Sequence, residues 1–110
     1  MTKSILVLKL GSASITTSKG EIDEAIIADI TRQVAELALN HHLILVSSGA
    51  VAAGKKYIKN YKGKISERKA AASIGNPLLL STYSKHFKPY NISIAQSLCE
   101  RQHFSHRTQF

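Results

Sequence analysis

Residues 43–54 read LILVSSGAVAAG, and the fold turns on how that stretch is divided. Gly49, four residues, Gly54 and Lys55 together spell the skeleton of a P-loop, whose backbone N–H groups wrap a phosphate. Two features oppose that division. A P-loop lysine is followed by Ser or Thr to hold Mg2+, whereas position 56 is Lys. The would-be wrap, AVAA, is a helix former, so its N–H groups would be engaged inside a helix. The stretch divides better into a buried strand (Leu43 to Ser47), a glycine turn, and a helix that starts at Ala50 close against a sheet and weakens at Gly54.

Upstream, SILVLKL (Ser4 to Leu10) is nearly continuous in apolar residues and ends at Gly11, which predicts another strand buried on both faces, with Lys9 its only charge. From Ile22 the period changes. Ile26, Ile30, Val34 and Leu37 recur at helical spacing behind Asp23 and Glu24, predicting a helix over about residues 23–39 and a turn at Asn40 to His42. Strand, helix and strand form a right-handed βαβ unit with parallel strands. Downstream, a basic connector leads to a helix capped by Ser66. Asn76-Pro77 opens another helix with Leu80, Tyr83 and Phe87 on its buried face. A turn at Pro89 to Asn91 feeds a third strand, Ile92 to Leu98, and the remainder reads as a loop and a helix start at Ser105. The expected class is α/β, a three-layer sandwich around a mainly parallel sheet.

Composition sets outer limits. With 110 residues, 44% hydrophobic and 20% charged, the chain fits one soluble domain or part of one. The single cysteine, Cys99, excludes an internal disulfide and suits a reducing compartment. The apolar run at the amino terminus is broken by Lys9 and Gly11 before signal-peptide length, so no export or membrane segment is expected and the cytoplasm is the expected location. The net charge of +8 favours anionic ligands, and much of the excess sits in KKYIKNYKGKISERK (Lys55 to Lys69). That segment reads as a solvated surface. A nucleic-acid surface is the alternative, but no nucleic-acid-binding signature accompanies it, so no nucleic-acid partner is expected. His103 and His106 lack a partner ligand nearby and read as solvated, His41 and His42 as turn surface, and Cys99 as a small buried side chain; no metal site is expected.

The chemistry points to the two glycine turns. KLGSAS (Lys9 to Ser14) and SSGA (Ser47 to Ala50) both follow strands, and in open α/β sheets ligands sit beyond the strands' carboxyl ends. Gly11 and Gly49 let backbone N–H groups approach a ligand, and a helix amino terminus adds about 0.3–1 kcal/mol toward an anion. Lys9 supplies a full charge at the same edge. Turn geometry for the glycines and helix capping for Ser47 and Ser48 are the competing structural explanations.

VLKLGSASI followed by LILVSSGAVAAG resembles the amino-terminal part of the amino-acid kinase family. KAAASIGNPLLL and IAQSLCERQHF resemble its next helix, strand and loop more loosely, so the likeness spans almost the whole chain. The resemblance implies transfer of the ATP γ-phosphoryl group, with Mg2+, to the side-chain carboxylate of L-glutamate, the first step of proline synthesis. It implies Lys9 as the catalytic, phosphate-contacting lysine, Gly11 and Ser12 as further ATP contacts, and Ser48 and Gly49 as substrate contacts. Another carboxylate or carbamate kinase of the family is the nearest alternative. The family's Gly-Thr-Ser is Gly11-Ser12-Ala13 here, and its Gly-Gln is Gly75-Asn76. Residues 1–110 would be the amino-terminal portion of one kinase domain, without the later aspartate and lysine. The chain alone is therefore expected not to turn over ATP, and to self-associate into homo-oligomers through surface meant for the missing part.

Overall fold

The computed structural model describes residues 3–96. Strands β1 (Ser4–Leu10) and β2 (His41–Ser47) run parallel, with Ser4 opposite His41 and Leu10 opposite Ser47. Helix α1 (Glu24–Leu37) joins them, so the strand–helix–strand unit forms as the change of period predicts. His41 and His42 are a correction: they belong to β2 and not to a turn. Every β1 residue finds a ladder partner, which extends β2 by those two positions. The turn moves back to residues 38–40, where the N–H groups of Leu39 and Asn40 donate to the carbonyls of Glu36 and Leu37.

Asp23 caps α1, its carboxylate accepting from the N–H groups of Ala25 and Ile26 at 3.1 and 3.3 Å. The buried stripe is Ile27, Thr31 and Val34, one step round the helix from the expected Ile26, which is exposed. Consecutive isoleucines leave that rotation undecided in the sequence. Thr31 tolerates full burial because its hydroxyl donates to the Ala28 carbonyl at 2.9 Å.

Helices α2 (Ala50–Gly54) and α3 (Ile65–Phe87) are the other two α-helices among the described residues. α3 corrects the expectation of two helices: it runs unbroken through Pro77. Proline removes one backbone bond and costs about 3 kcal/mol in a helix interior. Here Pro77 lies on the exposed side, while Ala71, Gly75, Leu79, Tyr83 and Phe87 form one buried row on the other. That continuous packing outweighs the local break, and it selects Leu79 in place of the expected Leu80. Ser66 falls inside the first turn, and the helix is entered at Lys64, whose N–H donates to Glu67 Oε1 at 2.9 Å.

The core joins Ile15, Ile27, Val34, Leu79, Tyr83 and Phe87 to Leu8, Leu10, Leu43 and Leu45 on one face of the sheet. Expected burial on both faces is not met among the described residues. Ile5, Val7, Ile44 and Val46 on the opposite face are 68, 59, 52 and 48% exposed. The described residues thus supply the parallel sheet and one helical layer of the α/β sandwich. Residues 92–96 form no strand; Ile92 and Ile94 pack against the core as irregular chain. Ser97, Leu98, Cys99, His103, Ser105 and His106 lie outside the described residues. No helix among the described residues is long and apolar enough to cross a membrane.

Candidate functional site at the carboxyl edge of the sheet

Both glycine turns leave the sheet at the carboxyl ends of paired strands. Beyond the Leu10–Ser47 pair, the Ser48 N–H donates to the Leu10 carbonyl at 2.9 Å. Lys9, Gly11 and Ser12 therefore share one rim with Ser48 and Gly49. Lys9 stands opposite Val46 on the open face of the sheet, exposed and outside every ion pair found among the described residues.

Ser12 opens a short 3-10 turn, Ser12–Ser14. The Gly11 carbonyl accepts from Ser14 N–H at 3.0 Å, and the Ser12 carbonyl from Ile15 N–H at 3.1 Å. Across a trans peptide the N–H points opposite to the carbonyl. With the Gly11 carbonyl turned into the 3-10 turn, the Ser12 N–H projects from its open end.

The two glycines differ. Gly49 adopts φ +116°, and a Cβ there would stand 2.7 Å from Ile15 Cδ1. Backbone conformation and contact with Ile15 are enough to require glycine. Gly11 has φ −75° and ψ 161°, which any residue can adopt, and a Cβ there would meet nothing within 4 Å. Turn geometry accounts for Gly49 and leaves Gly11 unexplained.

α2 settles the P-loop question, since Ala50–Gly54 is helical and the Ala53 N–H is bonded to the Gly49 carbonyl at 2.9 Å. At five residues its dipole is small, and it offers an anion less than a full helix would. Helix capping also fails as the explanation of Ser47 and Ser48, because Gly49 is the N-cap and no side chain bonds the helix start. Instead the Ser47 hydroxyl donates to the Ser48 carbonyl at 3.0 Å and lies 2.8 Å from the Tyr83 hydroxyl. Burial raises the Tyr83 pKa above the ordinary phenol value, an effect the Ser47 bond partly offsets. Sequence reasoning saw Tyr83 as core only. The signal was that a buried tyrosine hydroxyl needs a partner, but nothing in the sequence says which one, 36 residues away.

Cavities of about 280 and 230 Å3 lie along α1, the second lined by Leu8, Lys9, Leu10, Ile30 and Val34 among others. The second takes in Lys9, while Gly11, Ser12, Ser48 and Gly49 line neither. The rim residues include no carboxylate, and no group of three His, Cys, Asp or Glu suited to a metal occurs among the described residues. The described residues do not fit a Mg2+ site of their own.

Residues 4–109 match the model of the amino acid kinase family. The chain is 41% identical over 114 residues to glutamate 5-kinase 1 of Bacillus licheniformis, a match covering 100% of the chain and 31% of that protein. It is 40% identical over 114 residues to glutamate 5-kinase 1 of Bacillus subtilis, covering 100% of the chain and 31% of that protein. Against the glutamate 5-kinase of Oceanobacillus iheyensis it is 43% identical over 109 residues, covering 96% of the chain and 29% of that protein. The chain thus spans about a third of the length of these relatives. With nearly its whole length matched by one family model, this chain belongs to the amino acid kinase family.

Proposed function

We propose that the chain is the amino-terminal portion of a glutamate 5-kinase domain, which transfers the γ-phosphoryl group of ATP to the side-chain carboxylate of L-glutamate. The observation that carries the reading is Gly11: an unhindered glycine that neither conformation nor packing requires, one residue beyond an exposed lysine at the carboxyl edge of a parallel sheet. A glycine at such a corner suits close approach by a ligand.

In this reading Lys9 offsets negative charge on the transferring group, while the Gly11 and Ser12 N–H groups face the phosphates. Ser48 and the Gly49 backbone hold the amino acid. A glutamate carboxylate oxygen attacks the γ-phosphorus, the bond from that phosphorus to the β–γ bridging oxygen breaks, and ADP leaves with the electron pair. The products are γ-glutamyl phosphate and ADP. No enzyme nucleophile is needed, and positioning dominates the catalysis. Mg2+ would accompany ATP.

The chain spans about a third of the relatives' length, which bears on what it does alone. The remaining adenine and phosphate contacts belong to the part beyond it, so the 110 residues by themselves release no ADP from ATP, L-glutamate and Mg2+. The enzyme is cytoplasmic, and copies of the chain associate through the open sheet face. ATP titration followed at the Gly11 and Ser12 amide resonances tests the site. Lys9→Ala should weaken binding about tenfold, the loss of one charge-assisted contact. Equal ATP binding by wild type and Lys9→Ala would remove the assignment. ADP release by the chain alone, at a rate near that of a complete relative, would overturn the view that it is only part of the catalytic unit.

A further inference from the structure

We infer that Tyr83 is a positioning residue for the amino-acid substrate: with Ser47 it forms a two-hydroxyl relay that fixes the Ser48–Gly49 peptide. The inference rests on the proposed function for its substrate, and on geometry alone for the relay.

The direction of the relay follows from proton counting. A carbonyl only accepts, so the single Ser47 hydroxyl proton goes to the Ser48 carbonyl at 3.0 Å. The 2.8 Å contact between the Ser47 and Tyr83 hydroxyls must then use the phenolic proton, with Tyr83 donating. The relay runs Tyr83 to Ser47 to the Ser48 carbonyl.

Its consequence lies one atom further on. The Ser48–Gly49 peptide is trans, so holding the Ser48 carbonyl toward Ser47 turns the Gly49 N–H to the opposite side of the turn. Glycine at φ +116° resists peptide rotation less than other residues, and the turn needs an external constraint to hold one orientation. Tyr83 can supply it. The residue is 5% exposed, and its ring stacks with that of Phe87 at 6.5 Å between centroids in the row that seats α3 on the core. The core thereby reaches the rim through two hydroxyls. Ser47 is not a substrate contact in this scheme; it sets where Ser48 and the Gly49 N–H stand.

The test compares Tyr83→Phe, Ser47→Ala and Ser47→Thr in the 110-residue chain, reading the Gly49 amide resonance without ligand and then the affinities for L-glutamate and ATP. Tyr83→Phe keeps the ring and removes only the donor. Tyr83→Phe and Ser47→Ala should both move the Gly49 resonance. Both should weaken L-glutamate binding about three- to tenfold, the range for losing one neutral hydrogen bond, with ATP affinity within about twofold of wild type. Ser47→Thr, which keeps the hydroxyl, should restore resonance and affinity. A merely structural role would loosen both ligands together. An unmoved Gly49 resonance in Tyr83→Phe, or equal losses for both ligands, overturns the relay. If Tyr83→Phe does not fold, the pair Ser47→Ala and Ser47→Thr decides by the same criteria. Absence of L-glutamate binding in the wild type would count against the proposed function, and the ligand-free Gly49 resonance would still decide the relay.

Discussion

Gly11 and Gly49 end neighbouring parallel strands, carry the same letter, and owe it to different causes. Gly49 is buried, left-handed in φ and pressed against Ile15; Gly11 is extended, with open space where a side chain would begin. The protein's own structure accounts for Gly49, while neither conformation nor packing among the described residues accounts for Gly11. A glycine at a strand end is therefore evidence for a ligand only after conformation and packing have been tested.

The comparison can be broken most severely through a third kind of glycine. Gly54 and Gly75 lie where α2 crosses α3, and a Cβ on Gly75 would land on the Ala50 carbonyl. Backbone cannot yield as a flexible side chain does. Gly75→Ala should cost about 3 kcal/mol or more, or prevent folding, as measured by urea denaturation. If Gly75→Ala proves neutral, packing arguments for glycine in this molecule lose their footing, including the one for Gly49.

Gly49→Ala comes next. Strain at positive φ and overlap with Ile15 Cδ1 should together cost about 2–3 kcal/mol. Ile15→Val in the same chain removes the overlap but not the strain, so the double variant should be more stable than the sum of the two single effects predicts. Strict additivity would mean that conformation alone demands the glycine.

Gly11→Ala sharpens the contrast from the other side. Its φ suits alanine, so stability should be unchanged or higher by about 0.4–1 kcal/mol, while ATP affinity falls. Loss of stability in this variant would return Gly11 to the structural class and take away the main support for the site.

The smallest effect is electrostatic and involves neither corner. Hydrogen bonds from Lys85 and then His86 hold the Glu24 carboxyl below its ordinary value of 4.5. A lowered folded pKa adds stability above the unfolded value and loses it as pH falls through the folded one. Glu24→Gln should lower the melting temperature slightly at pH 7 and flatten its decline below about pH 4.5, with less difference in high salt. An unchanged pH profile would mean that this exposed pair contributes nothing measurable.

Much of the frame was legible in the sequence. β1, the change of period into α1, the acidic start at Asp23 and Glu24 and the glycine turn after Ser47 are local signals, and each formed within a residue or two of expectation. The misplacements on the helices share one cause. Asn76-Pro77 looked like a helix start, and Ile26 and Leu80 looked buried, because local pattern cannot say which side of a helix a neighbour covers. The buried row through Gly75, Leu79 and Tyr83 overruled the proline, and adjacent apolar residues let the buried stripe of α1 rotate by one position. The strands read as buried on both faces because both faces are apolar; the described residues cover only one.

By itself the sequence determined the chemistry brought to the strand ends, namely a lysine, two glycines and paired serines, since strands, turns and caps depend on neighbours within a few residues. Only the tertiary structure decided which glycine is spoken for and where the Ser47 hydroxyl points. Those outcomes depend on contacts with Ile15 and Tyr83, which chain geometry alone brings to the rim.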